Sequence, residues 1–416
     1  MNKRREYSTD KTFQSIGQAD KDNLNQLPKL TPFDCKVLMK PALHENAESN
    51  SGLDVASENT DYRMVVSVNN SEHLTQPVRM EESSPDPPFE ETYKNLFDGL
   101  TGKPQKNFLE LSAVEECELP LIDLNQLNLG DSERQACKKQ IAEASQEWGF
   151  FQVINHGISR EVLGKMREEQ VKLFKRPFHE KTNHKDLNFS AGSYRWGTPS
   201  ATCLKQLSWS EAFHVSLSDV LGSGGRNSLR SIMEQFAVVV SELSQKLVDI
   251  LAEEMGEKSG FFKETCLPST CYLRLNRYPP CPIHPQMFGI MPHTDSDFIT
   301  VLHQDHIGGL QLVKDGKWFA VKPNQDALII NIGDLFQAWS NNVYKSVEHR
   351  VVANPMNERY SAAYFFCPSY DTVIQSGVQP CVYRSFSFGE YRKQVQQDVK
   401  IFGHKIGLPI FLLQTH

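Results

Sequence analysis

Apolar residues keep no period along the first 90 positions of the chain, where Asn, Ser, Asp and Glu dominate and Glu81-Glu-Ser-Ser-Pro-Asp-Pro-Pro88 closes the stretch. A segment that cannot bury enough apolar surface to offset the entropy of ordering stays unfolded, so residues 1–90 are expected to be a disordered N-terminal extension. Met80, just ahead of the closing segment, stands as an alternative start.

Periodicity sets in at residue 119. Leu119-Pro-Leu-Ile-Asp-Leu124 reads as a short strand, and Asp131-Ser-Glu-Arg-Gln135 offers a capping box with Ser132 as N-cap. Cys137, Ile141, Ala144 and Trp148 recur at steps of four, three and four, one face of a helix ending at Gly149. Phe150-Phe-Gln-Val-Ile-Asn-His-Gly157 reads as strand plus turn. Ser159 caps a second helix with Leu163, Met166 and Phe174, and Ile232, Phe236, Val239, Leu243, Leu247 and Ile250 line a long third helix stopping near Gly256.

From residue 271 the pattern shortens. β-rich runs at 271–278, 299–302, 310–313, 327–332, 346–352 and 359–366 are separated by turn signals such as Pro279-Pro280, Gly308-Gly309, Asp315-Gly316 and Asn354-Pro355. Closely spaced strands of this kind predict a barrel or jelly roll rather than a parallel sheet. Residues 387–402 read as a closing helix. The expected division is therefore an extension (1–90), an N-terminal region with helices (115–260), a β domain (268–370) and a C-terminal helix and tail (371–416). The fold class is α+β with a mainly β core.

Composition narrows the function classes. In 416 residues, 39% are hydrophobic and 23% charged, and 44 Lys+Arg against 51 Asp+Glu leave a net charge of −7. That balance argues against a protein built around nucleic-acid phosphate or anionic lipid. No apolar run approaches the ~18 residues of a bilayer-crossing helix. The nine cysteines form no C-x-x-C pair and no dense framework, which points to a reducing compartment. The basic opening lacks the apolar stretch of a signal peptide, and the acidic residues behind it do not suit a transit peptide, so the cytosol is expected, with the nucleus open.

The chemistry lies in the β region. His293-Thr-Asp295 sets an imidazole and a carboxylate two residues apart, which on a strand share a face. His349 follows fifty-four residues after Asp295. Two histidines and one carboxylate with positions left open form the facial triad of non-haem Fe(II) oxygenases. Three ligands on one side leave room for cosubstrate and O2, which a closed four-ligand zinc site would not. Ten residues past His349, Arg359 and Ser361 sit on the neighbouring strand and share a face with Ala363 and Phe365. Arginine matches a carboxylate bidentately and serine adds one bond, so an acid is held near the metal. Tyr278, ending the run before Pro279-Pro280, supplies a phenol within reach of that acid.

His293-x-Asp295, His349 and Arg359-x-Ser361, preceded by Asn276-Arg-Tyr-Pro-Pro-Cys-Pro282, resemble the plant 2-oxoglutarate/Fe(II)-dependent dioxygenases. Trp148-Gly-Phe-Phe-Gln-Val-Ile-Asn-His-Gly157 is similar to that family's amino-terminal signature, and the likeness runs from Leu119 to the C-terminus. It implies a double-stranded β-helix (jelly roll) flanked by N-terminal helices and a C-terminal helix. It further implies Fe(II) on His293, Asp295 and His349, 2-oxoglutarate held at its far carboxylate by Arg359 and Ser361 with Tyr278 assisting, O2 as oxidant, and ascorbate to keep the iron reduced. Ser190-Ala-Gly-Ser-Tyr-Arg-Trp-Gly197, Gln206-Leu-Ser-Trp-Ser-Glu-Ala-Phe-His-Val215 and Asn331-Ile-Gly-Asp-Leu-Phe-Gln-Ala-Trp-Ser340 are similar to gibberellin 2-beta-dioxygenases of the C20-gibberellin class. Asp86-Pro-Pro-Phe-Glu-Glu91 resembles where such proteins begin, which makes the preceding residues an extension. The implied activity is 2β-hydroxylation of a small-molecule gibberellin, inactivating the hormone.

The remaining signals read more plainly. His156 is expected to be a hydrogen-bonded structural histidine. His303 and His306, three apart in a β context, point to opposite faces and are expected at the surface or behind the ligands. Cys271, Cys281 and Cys367 are read as small core residues. Tyr194-Arg-Trp196 is open between packing and pocket lining, because a rigid polycyclic acid needs an aromatic wall and a cation. G-x-S-x-G, P-loop and G-x-G-x-x-G templates are missing. The iron core alone leaves open another acid, a phenolic or another gibberellin carbon, and, more remotely, a non-catalytic hormone-binding protein. Oligomeric state has no signature in the sequence.

Overall fold

The computed structural model describes residues 84–98, 114–183, 189–190, 192–221, 227–258, 260–283 and 287–413. The expected extension lies outside the described residues except for its last positions, and these depart from the expectation. Phe89 opens a short helix, Phe89–Thr92, is 3% exposed, and stacks on Trp209 with ring centroids 4.5 Å apart. Asp86 pairs with Arg277 at 2.7 Å. A segment this polar is ordered by what it docks on rather than by its own periodicity.

Thirteen strands build the core: β1 Glu115–Cys117, β2 Leu121–Asp123, β3 Phe150–Ile154, β4 Tyr194–Trp196, β5 Glu211–Ser216, β6 Tyr272–Tyr278, β7 Phe288–His293, β8 Ile299–Gln304, β9 Leu310–Lys314, β10 Lys317–Val321, β11 Leu328–Ile332, β12 His349–Val352 and β13 Arg359–Phe366. They form a five-stranded sheet, β1-β10-β9-β12-β7, and an eight-stranded sheet, β2-β3-β11-β8-β13-β6-β5-β4. The expected jelly roll is present. The N-terminal region with helices supplies β1 to β5; β2 and β3 fall on the strands expected at 119–124 and 150–157, whereas neither β4 nor β5 announces itself by apolar alternation.

The central strands are largely buried on both faces, one against the helices and one around a cavity. On β13, Tyr360, Ala362, Tyr364 and Phe366 join the main hydrophobic core, as do Leu273 and Leu275 on β6 and Ile299 and Val301 on β8. The alternate residues Arg359, Ser361, Ala363 and Phe365, with Tyr272, Arg274, Asn276 and Tyr278, line a cavity. Period two thus separates structure from chemistry along each strand.

Helices cover the outer face. These are α1 Asp131–Glu147, α2 Arg160–Phe174, α3 Ser228–Glu254 and, near the C-terminus, α4 Phe388–Phe402. The 27 residues of α3 span about 40 Å and pack against α1, α2, β8 and β13. Phe236, Val240 and Leu247 are fully buried there. Ser159 caps α2 by accepting from the Val162 amide at 3.2 Å, as expected. Ser132 does not cap α1. The helix starts two residues earlier, on Gly130 without a side-chain cap, and the Gln135 amide instead donates to Glu254 on α3. Asp131 and Glu133 in the first turn meet the positive end of the helix dipole, which lessens the need for a cap. Among the described residues no helix is long and apolar enough to cross a membrane.

Candidate active site

His293 ends β7 and His349 begins β12, and the antiparallel register makes them direct partners, with ring centroids 4.4 Å apart. Asp295 lies beyond the end of β7, so the shared-face argument from a continuous strand does not hold. A turn brings its carboxylate back between the rings, 3.6 Å from His293 Nε2 and 3.8 Å from His349 Nε2. Among the described residues these three form the one group of His, Cys, Asp or Glu whose donor atoms lie within 4.8 Å of one another.

The turn is pinned from below. Thr294 Oγ1 donates to Asp334 Oδ2 at 3.0 Å, and Lys405 Nζ donates to the Thr294 carbonyl at 2.6 Å and to Asp334 Oδ2 at 2.7 Å. Tyr391 of α4 also donates to that carboxylate. The C-terminal helix and tail therefore hold the backbone between His293 and Asp295.

Protonation and orientation suit a metal. His293 Nδ1 donates to the Met291 carbonyl (2.8 Å) and His349 Nδ1 to the Val347 carbonyl (3.0 Å), which leaves each Nε2 with a lone pair facing Asp295. Burial and the neighbouring His349 push the His293 imidazole down to about 3. Burial alone would raise the Asp295 carboxyl, but His349, His293, Thr300 and Asn331 outweigh it and bring it down to about 2. Thr300 Oγ1 (2.6 Å) and Asn331 Nδ2 (2.8 Å) both donate to Asp295 Oδ2, which leaves Oδ1 toward His293 Nε2. One carboxylate and two imidazoles, all N/O donors in one cluster, fit Fe(II).

The acid-binding pair lies on the same cavity. Arg359 and Ser361 are 1% and 3% exposed. Arg359 Nη2 donates to Gln304 Oε1 at 2.8 Å and Nη1 reaches Ser361 Oγ at 3.4 Å, while Nε and the Gln304 Nε2 have no partner among the described residues. Among the described residues no carboxylate pairs with Arg359. A buried guanidinium with an orphaned donor is costly unless an anion completes it, which fits the far carboxylate of 2-oxoglutarate. Tyr278 pairs with Arg359 in the register and sets its ring 4.8 Å from the guanidinium. Gly289 makes room for that ring, since a Cβ there would come within 2.4 Å of it.

The cavity holds about 220 Å³ between the two sheets and is bounded by Phe150, Ile290, Leu302, Leu310 and Val351 as well as the groups above. Four polar neighbours went unread in the sequence: Thr300, Gln304, Asn331 and Asn276. Asn331 carried a signal, as the one polar residue in the fully buried strand Leu328–Ile332. Tyr194-Arg-Trp196 splits by alternation. Tyr194 bonds Glu211 and Trp196 packs on Phe89, while Arg195 takes the cavity side of the sheet. His156 Nδ1 accepts from the Ile158 amide. His306 is exposed, but His303 is half-buried beside His156 and Arg167 rather than behind the ligands, because odd positions of β8 face the helices. Cys271, Cys281 and Cys367 are buried, as expected of small core residues.

Residues 269–368 match the 2OG-Fe(II) oxygenase superfamily, and residues 119–229 match the N-terminal region described as non-haem dioxygenase in morphine synthesis. Gibberellin 2-beta-dioxygenase 8 of Arabidopsis thaliana is 58% identical over 335 residues, covering 79% of this chain and 98% of the relative. Gibberellin 2-beta-dioxygenase 6 of Oryza sativa subsp. japonica is 50% identical over 345 residues, covering 78% and 96%. The crystal structure of JOX2 in complex with 2OG, Fe and JA superposes with a TM-score of 0.62 at 29% identity, covering 80% of this chain and all of that one. With these likenesses extending through both matched regions, the chain belongs to the gibberellin 2-beta-dioxygenase family of Fe(II)- and 2-oxoglutarate-dependent dioxygenases.

Proposed function

We propose that the enzyme hydroxylates gibberellins at C2 on the β face, inactivating the hormone, with C20 gibberellins as its preferred substrates. The observation that carries the reading is that three convergent N/O donors and a buried arginine with an unpaired Nε open onto one cavity. Kinship with gibberellin 2-beta-dioxygenases supports the substrate and the carbon attacked, and the motifs at 190–197 and 206–215 support the C20 preference.

In this reading His293, Asp295 and His349 hold Fe(II), and Arg359 with Ser361 holds the far carboxylate of 2-oxoglutarate against the Tyr278 ring. The metal, cosubstrate and O2 supply the oxidation that turns a C–H bond into C–OH, with succinate and CO2 as coproducts. Every other part belongs to the chain. The two Nδ1–H bonds fix both imidazole planes, Thr300 and Asn331 fix the Asp295 carboxylate, and Gln304 fixes the Arg359 fork. Ile290, Leu302 and Val351 keep the cavity wall apolar beside the donors, which restricts water where the substrate carbon must sit.

Mass spectrometry tests the proposal on recombinant protein given Fe(II), ascorbate, 2-oxoglutarate and paired C20 and C19 gibberellins, with His293→Ala as control. A 2-hydroxylated C20 product absent from the control is expected. Succinate without hydroxylated gibberellin would overturn the substrate and leave the iron chemistry standing.

A further inference from the structure

The cavity wall has a second cationic end. Along β13 and β6 the register pairs Arg359 with Tyr278, Ser361 with Asn276, Ala363 with Arg274 and Phe365 with Tyr272. On the next strands His214 pairs with Arg274, Ala212 with Asn276, and Arg195 with Ala212. Side chains at these positions share the face that lines the cavity. Six residues of strand separate Arg359 from Phe365, about 20 Å, so the wall is long enough for a cosubstrate end and a separate far end.

The far end is aromatic and positive. His214 stacks on Tyr272 with centroids 3.9 Å apart and planes at 19°, and Tyr272 stacks on Phe365 at 4.5 Å and 9°. Around this stack lie Arg274, Arg195 and, from α4, Arg392. Burial and then the charges of Arg195, Arg274 and Arg392 push the His214 imidazole down to about 3, so the stack itself is neutral at physiological pH. Burial, Arg274 and Arg392 likewise push the Arg195 guanidinium down. Among the described residues none of the three arginines forms an ion pair. Arg274 Nε donates to Asn276 Oδ1 at 2.9 Å, Arg195 Nε reaches the Gly192 carbonyl at 3.4 Å, and Arg392 lies over the Tyr370 and Phe388 rings. The half-buried Arg274 and Arg392, with the exposed Arg195 beside them, repel one another next to an aromatic wall, and an anion would relieve that repulsion.

We propose that this end is the substrate's carboxylate subsite: Arg274, supported by Arg195 and Arg392, receives the carboxylate of a rigid, largely apolar acid whose ring skeleton lies on the Tyr272–Phe365 stack. The assignment rests on the gibberellin reading, since a gibberellin is such an acid, and it names the part of the pocket that orients it. Hydrogen bonds link the two cationic ends. Arg274 donates to Asn276, Asn276 Nδ2 donates to Ser361 Oγ at 3.3 Å, and Arg359 reaches the same hydroxyl. Substrate orientation and cosubstrate binding therefore share one polar rail.

The test compares a C20 gibberellin as the free acid and as its methyl ester, by turnover and by anaerobic binding titration of the enzyme loaded with Fe(II) and 2-oxoglutarate. Wild type is expected to prefer the acid. Arg274→Met should raise KM for the acid about tenfold or more and leave the ester within about twofold, with Arg274→Lys recovering part of the loss. Because Arg274 also touches Asn276, Arg392→Met is the second variant; it should weaken the acid selectively with an unchanged KM for 2-oxoglutarate. Equal losses for acid and ester, or no loss in either variant, would overturn the subsite. A wild type that oxidises acid and ester alike would overturn it too while keeping the gibberellin reading. A wild type that neither binds nor oxidises either form would overturn that reading and this assignment together.

Discussion

Asn331 Nδ2 donates to Asp295 Oδ2 at 2.8 Å from the middle of a strand otherwise made of Leu and Ile. An amide placed among such neighbours is retained at a desolvation cost, and its bond explains it: with Thr300 it fixes Oδ2 of the carboxylate, which lies beside His349, and leaves Oδ1 beside His293. Asn331→Leu should therefore weaken metal binding about 10- to 100-fold while keeping the fold. Titration of the apoprotein with Fe(II) or Mn(II) measures this directly, and an unchanged affinity would remove Asn331 from the metal's support.

Arg359 and Gln304 separate binding an acid from aiming the group that binds it. Arg359→Ala is expected to raise KM for 2-oxoglutarate about thirtyfold or more, because a buried charge pair loses one member. Gln304→Leu leaves the guanidinium in place but removes the acceptor at 2.8 Å that fixes its fork. A rise of about tenfold in KM for 2-oxoglutarate is expected, with kcat changed far less. Steady-state kinetics at saturating gibberellin checks both, and a fall in kcat at constant KM would contradict the positioning role of Gln304.

The sequence displayed His293, Asp295 and His349 through their residue types and their order ahead of Arg359-x-Ser361, and it displayed Arg359, Ser361, Ala363 and Phe365 because period two needs no tertiary knowledge. It hid what depends on register. That His293 faces His349 follows from how β7 and β12 align, and that Asp295 returns between them follows from Lys405 and Tyr391, contributed more than ninety residues later. β4 and β5 were invisible because Glu211 of β5, polar in sequence, is buried by its pairs with Lys181 and Arg277, and Tyr194 of β4 bonds the same carboxylate. For the same reason the order of residues 84–90 was missed, since Asp86 and Phe89 are held by partners distant in the chain.

Gly289 has its own consequence for the cosubstrate. A methyl group at its Cβ position would come within 2.4 Å of the Tyr278 ring, which lies against the Arg359 guanidinium. Gly289→Ala should cost about 1–3 kcal/mol by overpacking, seen as a lower urea midpoint, and should raise KM for 2-oxoglutarate as the ring is displaced. Adding Tyr278→Leu relieves the clash, so the double variant should recover stability without recovering cosubstrate affinity. Recovery of both would mean that the ring does not support Arg359.

Lys181 is fully buried on the opposite face of the sheet from the cavity, where its ammonium donates to Glu211 Oε2 at 2.5 Å and to the carbonyls of Pro85 and Phe174. Glu211 also pairs with Arg277, which holds Asp86, so one buried network ties the 84–98 segment to the β sheet. Burial lowers the Lys181 ammonium's pKa, although Glu211 opposes it, so the pair is held by its partners against desolvation. Lys181→Met strands part of the Glu211 charge and should cost about 3–5 kcal/mol, nearer the lower figure because Arg277 remains. Since the network lies behind the sheet, kcat at low temperature should change little while the unfolding midpoint falls. Lys181→Met with Glu211→Gln removes the stranded charge and should recover a measurable part of the loss. If the loss in the double variant equals the sum of the two single losses, the carboxylate is held by Arg277 and Tyr194 independently of Lys181, and the network is not one unit.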